Sequence, residues 1–492
     1  MNVLPRLLLL STAIAGSWLC AEDATYPPPL PPAVAGAGHW LSPLLVSARQ
    51  AALTQPLVVR AERELKRAAL VEYQVRARWT PELTVGTNLD ENRRISTSFV
   101  DGFGVVRDRN TNGTVGIGNT FSTGTTVRVE AATTQTITSS AQALNDEYYN
   151  STVRLVVNQA LLQGGSMTVN RAELYNAIDQ ANAAIDARDE AVETQLLALG
   201  EDWLTLAGNE MEVGHRRWQL EASRRSLAQT EERIRLGLGR ALDAFSLRRD
   251  VAAQEAALAS AERTLAATLE RLRISWIEVT LPDRAPLQRA IAPPLATAGS
   301  FAATRTGRTT LRSIDMAART MTVAQSNALD RLDLTSSFGK NGTDPALRES
   351  WSEVGNPDTY RWTVGLTWVH RFSHDNERLE KIRAALALDQ AKLQGESDER
   401  TWRTQVLTQR QAQVDGVARV GELEKVYAAY REEYRLTKAQ VDAGLMAMRD
   451  LIALDNQLTN ALLSVIQARL DALRADLRLR AQEDRLLELL PK

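Results

Sequence analysis

The sequence predicts a mostly α-helical chain of two tandem repeats, each with a group of β-strands followed by a long antiparallel coiled-coil hairpin. The first observation behind this prediction is a set of long segments in which apolar residues recur every seven positions, which keeps one stripe of a helix against a partner. The second is a motif that occurs once in each half. A Gly-Leu pair precedes an aspartate that lies six positions after the glycine, at Gly237 and Asp243 and again at Gly444 and Asp450. Each copy lies between two heptad segments and therefore predicts a hairpin tip.

Residues 1–21 are typical of a secretory signal peptide. Arg6 gives the positive start, an apolar stretch follows, and Leu19-Cys20-Ala21 offers a cleavage site after Ala21. Cleavage there removes Cys20, the single cysteine. Lipidation of Cys20 is the alternative, although Leu19 is bulkier than a lipoprotein signal prefers. Residues 22–41 are a Pro-rich N-terminal leader, for which we expect an extended conformation.

Composition narrows the function classes. The 492 residues carry a formal net charge of −2, which argues against the basic surface of a nucleic-acid-binding protein. Aromatic residues make up only 5%, as expected for long helices rather than for a compact core. After the signal peptide no apolar run is long enough for a transmembrane helix. An exported chain of this kind can still cross a membrane as a β-barrel, so its strands decide the question.

The first repeat is predicted over residues 42–279. Its entry helix covers 42–79 and is interrupted at Pro56, and alternating apolar and polar residues then predict strands within 81–160. The pair Asn112-Gly113 is a strong turn signal between two of these strands. A helical hairpin follows over 167–276, with its tip near residue 237.

The second repeat, predicted over 301–490, follows a Pro-containing linker at 280–300. It starts with another entry helix, continues with strands in 332–369, and ends with a hairpin over 375–487 whose tip lies near residue 444. Within the strand region, Asn341-Gly342 predicts a turn and 343–357 a polar loop.

The heptad pattern is most regular before the first tip and after the second. The arm before the first tip spans about 57 residues, on the order of 85 Å at the rise of an α-helix. The residues of the two regular arms are Ile178, Ile185, Val192, Leu199, Leu206, Val213, Leu220, Leu227 and Ile234, and then Leu451, Leu458, Val465, Ala472, Leu479 and Leu486. The third arm is patchier, with Val251, Leu258, Leu265 and Leu272. The fourth has Val406, Val420, Tyr427, Tyr434 and Val441, interrupted by Gln413.

The strands allow two interpretations. With about 9–10 residues each they have the length of tilted membrane-spanning strands. The alternative is a small soluble sheet that caps the helices. The chain offers four to six strands, whereas the smallest common closed barrel needs eight and an open edge is excluded from lipid. Membrane-spanning strands would therefore require several chains to share one barrel.

Taken together, these features resemble the TolC family of outer-membrane efflux proteins. The resemblance covers nearly the whole mature chain, and it includes the segment 158–165 that leaves the last strand of the first half. It implies a trimeric α/β-barrel channel in the outer membrane with a helical extension into the periplasm. It also implies a periplasmic adaptor and an inner-membrane transporter as partners, outer-membrane lipid around the strands, no nucleic acid, no cofactor and no catalysis.

The resemblance also assigns residues. Gly237, Leu238, Gly444 and Leu445 would be the hairpin tips that dock the adaptor. Asp450 would belong to an acidic ring at the pore entrance, and Asp243 would hold neighbouring helices closed there. The family's companion aspartate three residues after Asp450 is replaced by Ala453, with Asp455 two residues further on, and the arginine expected two positions after Gly444 is Met446.

Other sites find little support in the sequence. His370 and His374 have metal-like spacing, but they straddle the predicted boundary between a strand and a helix. No nucleophile elbow, phosphate-binding loop or cysteine cluster is present. Two other functions remain open: the outer-membrane component of a type I protein secretion system, with the same architecture, and a soluble periplasmic coiled-coil scaffold.

Overall fold

The computed structural model describes residues 41–489 apart from 96–103, 142, 238–239, 277–278, 280–281, 283–286, 288–289, 291–298, 374, 444 and 447. The expected signal peptide, Cys20, nearly all of the leader and most of the linker lie outside the described residues. The chain forms two compact units. Unit 1 comprises 1–59, 190–300 and 402–492, and unit 2 comprises 60–189 and 301–401. Each unit therefore takes segments from both halves of the sequence.

Eight α-helices lie in the described residues. They are α1 (Ser42–Thr54), α2 (Pro56–Arg76), α3 (Met167–Arg235), α4 (Ala241–Ser275), α5 (Arg305–Asn327), α6 (Leu347–Val354), α7 (Asp375–Asp442) and α8 (Met448–Gln482). The break that Pro56 predicts separates α1 from α2. The two long hairpins consist of α3 with α4 and of α7 with α8, and α3 and α7 contain 69 and 68 residues.

Six β-strands form one antiparallel sheet in which each strand pairs with the next along the chain. They are β1 (Glu82–Ile95), β2 (Val105–Thr120), β3 (Thr125–Thr138), β4 (Glu147–Ala160), β5 (Arg331–Asp344) and β6 (Tyr360–Val369). The turn 121–124 lies at the end of the sheet where β4 leads toward α3. The opposite end of the sheet, called the distal end below, is where β1 ends at Ile95 and β2 begins at Val105, and where β3 ends at Thr138 and β4 begins at Glu147. The expected mostly helical fold with a group of strands in each half is confirmed.

Both Asn-Gly turn predictions are wrong. Asn112 and Gly113 lie inside β2, where Gly113 pairs with Thr87 and Thr133. Asn341 and Gly342 lie inside β5. A continuous ladder of strand hydrogen bonds outweighs the local turn preference. At Gly342 the glycine serves packing instead, because a Cβ there would lie 2.1 Å from the carbonyl oxygen of Ser350 on α6.

Five of the strands are also longer than expected, with 14 residues in β1, β3, β4 and β5 and 16 in β2, whereas β6 has 10 residues as expected. In addition, the segment 343–357, expected as a polar loop, contains the helix α6. The hydroxyls of Ser151 on β4 and Ser350 on α6 are buried and 2.7 Å apart, and this contact fixes α6 on the sheet.

In unit 2, paired charges connect α5 to α3. The carboxylate of Asp186 accepts hydrogen bonds from Arg308 at 2.5 Å and from Arg312 at 2.6 Å. Burial would raise the pKa of Asp186, but these two guanidinium groups outweigh it and lower the pKa. Arg319 pairs with Asp179 in the same way. The entry helix α5 is therefore held by charge-assisted hydrogen bonds.

In unit 1 the heptad stripe forms the core between the helices. The five heptad residues of α8 from Leu451 to Leu479 are buried, as is Leu486 beyond the end of the helix, and on α3 the stripe is buried from Val192 to Leu220. On α7, Tyr427 and Tyr434 belong to the same apolar cluster as Leu451 and Leu458 of α8. The seven-residue period thus identified the packed face of these helices.

The interruption of the heptads at Gln413 has a structural reason. Gln413 is buried, and its Nε2 donates a hydrogen bond of 3.2 Å to Oδ1 of Asp476 on α8. Arg480 donates from Nε to both carboxylate oxygens of Asp476 at 3.2 Å. A polar pair therefore replaces one apolar layer of the α7–α8 hairpin, and both of its members have partners.

Candidate functional site

One face of the sheet in unit 2 is largely apolar, and its central row is apolar and exposed on all six strands, although Lys340 of β5 lies one row away. The register places one apolar residue of each strand side by side: Leu83, Ile117, Val129, Leu155, Phe338 and Trp362. Exposure ranges from 39% at Leu155 to 67% at Leu83. Adjacent rows add Val85 and Val115 on one side and Val127, Val157 and Val364 on the other. We call this surface the apolar face. Its extent is unusual for a surface in contact with water.

The opposite face of the same strands is polar. Its residues alternate with those of the apolar face, because neighbouring residues of a strand point to opposite sides. Hydrogen bonds connect them across strands, from Thr136 to Asn110 at 2.9 Å and from Thr134 to Asn112 at 3.4 Å. Arg154 pairs with Glu130 at 3.3 Å. A sheet with one exposed apolar face and one polar face is suited to separate lipid from water.

The first predicted tip lies where α3 ends and α4 begins. Gly237 follows the end of α3 with φ +75°, a conformation that glycine adopts without steric cost. Asp243 lies in the exposed first turn of α4, where a carboxylate interacts favourably with the helix dipole. Leu238 lies outside the described residues.

The second predicted tip lies between α7 and α8. Leu445 is 78% exposed, and its backbone N–H donates a 2.9 Å hydrogen bond to the carbonyl oxygen of Gln440. Asp450 lies exposed in the first turn of α8, the position that Asp243 has in α4. Gly444 is outside the described residues. The structure thus places the described members of each motif at a hairpin turn, whereas their roles remain predictions.

A buried carboxyl group lies on α8, five residues after Asp450. Asp455 on α8 is 9% exposed and lies in sequence between Leu451, Leu454 and Leu458 of the apolar cluster. Burial raises the pKa of Asp455 from 3.8 to about 7. The sequence analysis located Asp455 only as an aspartate two residues after Ala453 and did not predict its burial, although its spacing of four from Leu451 was a signal for it.

This shift predicts a pH-dependent stability of the α7–α8 hairpin. The folded state holds the Asp455 proton up to about pH 7, whereas the unfolded state releases it near pH 4. The contribution of Asp455 is therefore fully present below about pH 4 and is lost as the pH rises to about 7. We expect the unfolding temperature of Asp455→Asn to fall less over this range than that of the unchanged protein. Parallel pH profiles of the two proteins would contradict the prediction.

The metal-like pair is not assembled in the described residues. His370 follows β6, and its Nδ1 lies 3.1 Å from both carboxylate oxygens of Asp330, while His374 lies outside the described part. The ring of His370 also contacts Phe372 edge-on. No group of three or more potential metal ligands occurs among the described residues. Likewise, no described helix is both long and apolar enough to span a membrane.

Comparison with solved structures identifies the fold. CusC, whose structures describe folding and transmembrane channel formation, is 11% identical to this chain. The superposition covers 92% of this chain and 96% of CusC, with a TM-score of 0.61. The outer membrane protein VceC of Vibrio cholerae is 14% identical to this chain. The superposition covers 90% of this chain and 96% of VceC, with a TM-score of 0.58. The outer membrane channel MtrE of Neisseria gonorrhoeae, in its open state, is 16% identical to this chain. The superposition covers 90% of this chain and 89% of MtrE, with a TM-score of 0.59. The chain has the fold of the TolC-type outer-membrane channels.

No protein-family model and no curated protein sequence matches the chain. The TolC-type fold is therefore established by the comparison of structures, because the sequences are only 11–16% identical to those of the channels above. The resemblance inferred from the repeated motif and the heptads is confirmed at the level of the fold. Within the TolC-type fold, the continuity of the apolar face was the main feature that the sequence did not provide, because it depends on the strand register.

Proposed function

We propose that this chain is an outer-membrane channel and the exit duct of a tripartite efflux system for small molecules. The observation that carries the proposal is the apolar face, which continues across six strands opposite a polar face in a chain of TolC-type fold. The likeness to solved outer membrane channels supports it.

The two faces of the sheet suit a wall between lipid and water. On the apolar face, β3 has only uncharged residues from Thr125 to Ile137, and β6 has only uncharged residues from Tyr360 to Trp368. At about 3.3 Å per residue, the part of β6 from Tyr360 to Trp368 is about 26 Å long. At the usual tilt of a membrane strand this length spans about 20 Å, close to the apolar band of about 25 Å, and its nine residues match the 9–11 that a spanning strand needs. Arg154 lies on the polar face, where water would solvate it. Lys340 of β5 lies on the apolar face, and its Nζ donates a 3.2 Å hydrogen bond to the carbonyl oxygen of Asn356, beyond the distal end of the strand.

The edges of the sheet support assembly into a trimer. Within the described strands, β1 pairs only with β2 and β6 only with β5, so each edge strand offers unpaired backbone groups. Such an edge is too costly in lipid, and pairing of β6 with β1 of a second copy would satisfy it. Three chains with six strands each would supply eighteen strands. Barrels of this size enclose an aqueous channel.

The hairpin tips provide the proposed contacts with the partners. Gly237, Leu238, Gly444 and Leu445 would meet the tip of a periplasmic adaptor, which connects the channel to an inner-membrane transporter. Asp450 would line the entrance as a ring of three carboxylates that favours cations, and Asp243 would hold the entrance closed. The transporter supplies the energy, so the chain itself catalyses no reaction.

The proposal is tested by the location and symmetry of the assembled protein. The full chain would be expressed in a Gram-negative host, and outer membranes would be separated from the soluble periplasmic fraction. We expect the protein to require detergent for extraction and to give three-fold symmetric particles by electron microscopy. Recovery as a detergent-independent protein in the soluble fraction would contradict the channel and favour the scaffold.

We expect Leu445→Asp to abolish efflux and to leave trimer assembly intact. The exposed Leu445 would lose its apolar contact with the adaptor, and its replacement would place a charge in that interface. Drug susceptibility of an efflux-deficient host reports export, and the quantity of trimer in outer membranes reports assembly. Leu445→Met is the matched control, since it keeps an apolar side chain at the tip and should restore export. Full resistance with Leu445→Asp would exclude Leu445 from docking.

A further inference from the structure

The chemistry of the apolar face changes at the distal ends of β1 and β2. On β1, the residues of this face are uncharged from Leu83 to Leu89, and Glu91 and Arg93 follow. On β2, they are uncharged from Asn119 back to Thr111, and Arg109 and Arg107 follow. The step from Leu89 to Glu91 is about 7 Å along the strand. Charges thus begin directly beyond the uncharged surface, on the same side of the sheet.

The register assembles these residues into one patch. Arg109 pairs with Glu91, and Arg107 pairs with Arg93, so the four side chains occupy two adjacent rows. We call them the distal arginine patch. It contains three arginines and one glutamate, and therefore has a net positive charge. On the opposite face of the same strands, Arg94 pairs with Asp108 at 3.4 Å.

Glu91 orients two of the arginines without covering them. It accepts hydrogen bonds of 2.8 Å from Nε of Arg93 and of 2.8 Å from Nη2 of Arg107. The side chains of Arg93 and Arg107 nevertheless remain 63% and 53% exposed, and Arg109 is also exposed. One carboxylate thus serves two guanidinium groups that still have free N–H donors. Guanidinium groups of this kind bind phosphate oxygens with matching geometry.

The surroundings of the patch leave its positive charge in place. In the row of Glu91 and Arg109, the next residues are Ile137 on β3 and Glu147 on β4. Glu147 is two strands away from Arg109, about 10 Å at the usual strand spacing. Its carboxylate already accepts hydrogen bonds from Gln135 at 2.6 Å and from Tyr149 at 2.9 Å. Glu147 therefore lies outside the two rows of the patch and has neighbours of its own.

We propose that Arg93, Arg107 and Arg109 bind the phosphate group of an anionic lipid in the outer leaflet of the membrane. This inference rests on the proposed function, because it requires the apolar face to contact acyl chains. A lipid whose chains lie along Leu83, Val85 and Leu89 has its headgroup at the level of the patch. This height argues for a lipid phosphate rather than a free anion, since an acyl chain adds an apolar contact that free phosphate lacks.

The test measures binding of lipid A with both phosphate groups to the detergent-purified full-length trimer by native mass spectrometry. The triple variant Arg93→Gln, Arg107→Gln, Arg109→Gln removes the patch. Each basic residue near an anionic surface contributes about fivefold in affinity, so we expect the triple variant to bind lipid A about a hundredfold more weakly. Arg94→Gln is the matched control on the opposite face and should bind like the unchanged protein.

Three results would overturn the inference. If the triple variant bound lipid A as tightly as the unchanged protein, the patch would not be the binding site. If Arg94→Gln weakened binding as much as the triple variant does, lipid A would be held by positive charge in general and not by a specific site. Displacement of lipid A by inorganic phosphate at the same concentration would assign a free-anion site instead. In each case a three-fold particle in outer membranes leaves the proposed function standing. A soluble protein that forms no membrane-bound trimer would overturn both the proposed function and the lipid site.

Discussion

Replacement of Phe338 by arginine is expected to prevent stable assembly in the outer membrane. Phe338 lies in the central row of the apolar face, between Leu155 and Trp362, and is 50% exposed. An arginine in the middle of the lipid-facing band costs about 2–4 kcal/mol. Each of three chains in a trimer would carry this cost. At about tenfold per 1.4 kcal/mol, we therefore expect the equilibrium constant for folding into the membrane to fall about thirtyfold or more per site. The quantity of trimer in purified outer membranes measures the loss of assembly.

The matched control is Ser337→Arg. Ser337 is the neighbouring residue of β5, and its side chain lies on the polar face, in register with Val156 and Thr363. An arginine there would be solvated, so this variant should assemble at nearly the unchanged level. If both variants assembled equally well, the apolar face would not contact lipid. If both failed equally, the defect would lie in the strand itself and not in one of its faces.

Asp476→Ala is expected to destabilise the α7–α8 hairpin by about 3–5 kcal/mol, the usual cost of removing one partner from a buried charged network. The Asp476 side chain is fully buried and accepts hydrogen bonds from Gln413 and Arg480. Its removal leaves Arg480, whose side chain is only 11% exposed, without this counter-charge. The temperature at which the purified protein loses its helical circular dichroism signal should fall.

Asp471→Ala provides the control for a surface pair on the same helix. The side chain of Asp471 is 61% exposed, and it pairs with Arg474 at 2.8 Å. Exposed pairs contribute about 0–1 kcal/mol, so the unfolding temperature of this variant should change little. Equal shifts in the two variants would show that the Asp476 network does not stabilise the hairpin.

The helical part of the fold could be predicted from the sequence because its signals are local. Pro56 breaks the entry helix, the seven-residue period marks the buried stripe, and the helices end near Gly237 as expected. A period of seven needs no knowledge of the partner helix to show which side is packed. The break in the stripe at Gln413 could be seen in the sequence, but its partner Asp476 is 63 positions away and required the structure.

The strands could be predicted less well, for a physical reason. Asn112-Gly113 and Asn341-Gly342 have the local preference for turns, yet both lie within strands, because the ladder and the packing of α6 dominate there. The candidate sites divide in the same way. The tips follow from a repeated motif, whereas the apolar face, the distal arginine patch and the burial of Asp455 depend on which residues become neighbours.

The sequence by itself determined two repeats, long coiled-coil hairpins and strands with alternating polarity, since each follows from a period along one segment of chain. Tertiary structure decided the order and register of the six strands, and with them the row from Leu83 to Trp362 and the pairing of Arg107 with Arg93. Register fixes which residues of distant segments are neighbours. A shift by one residue would move every side chain of a strand to the other face, so this information exists only once the strands have paired.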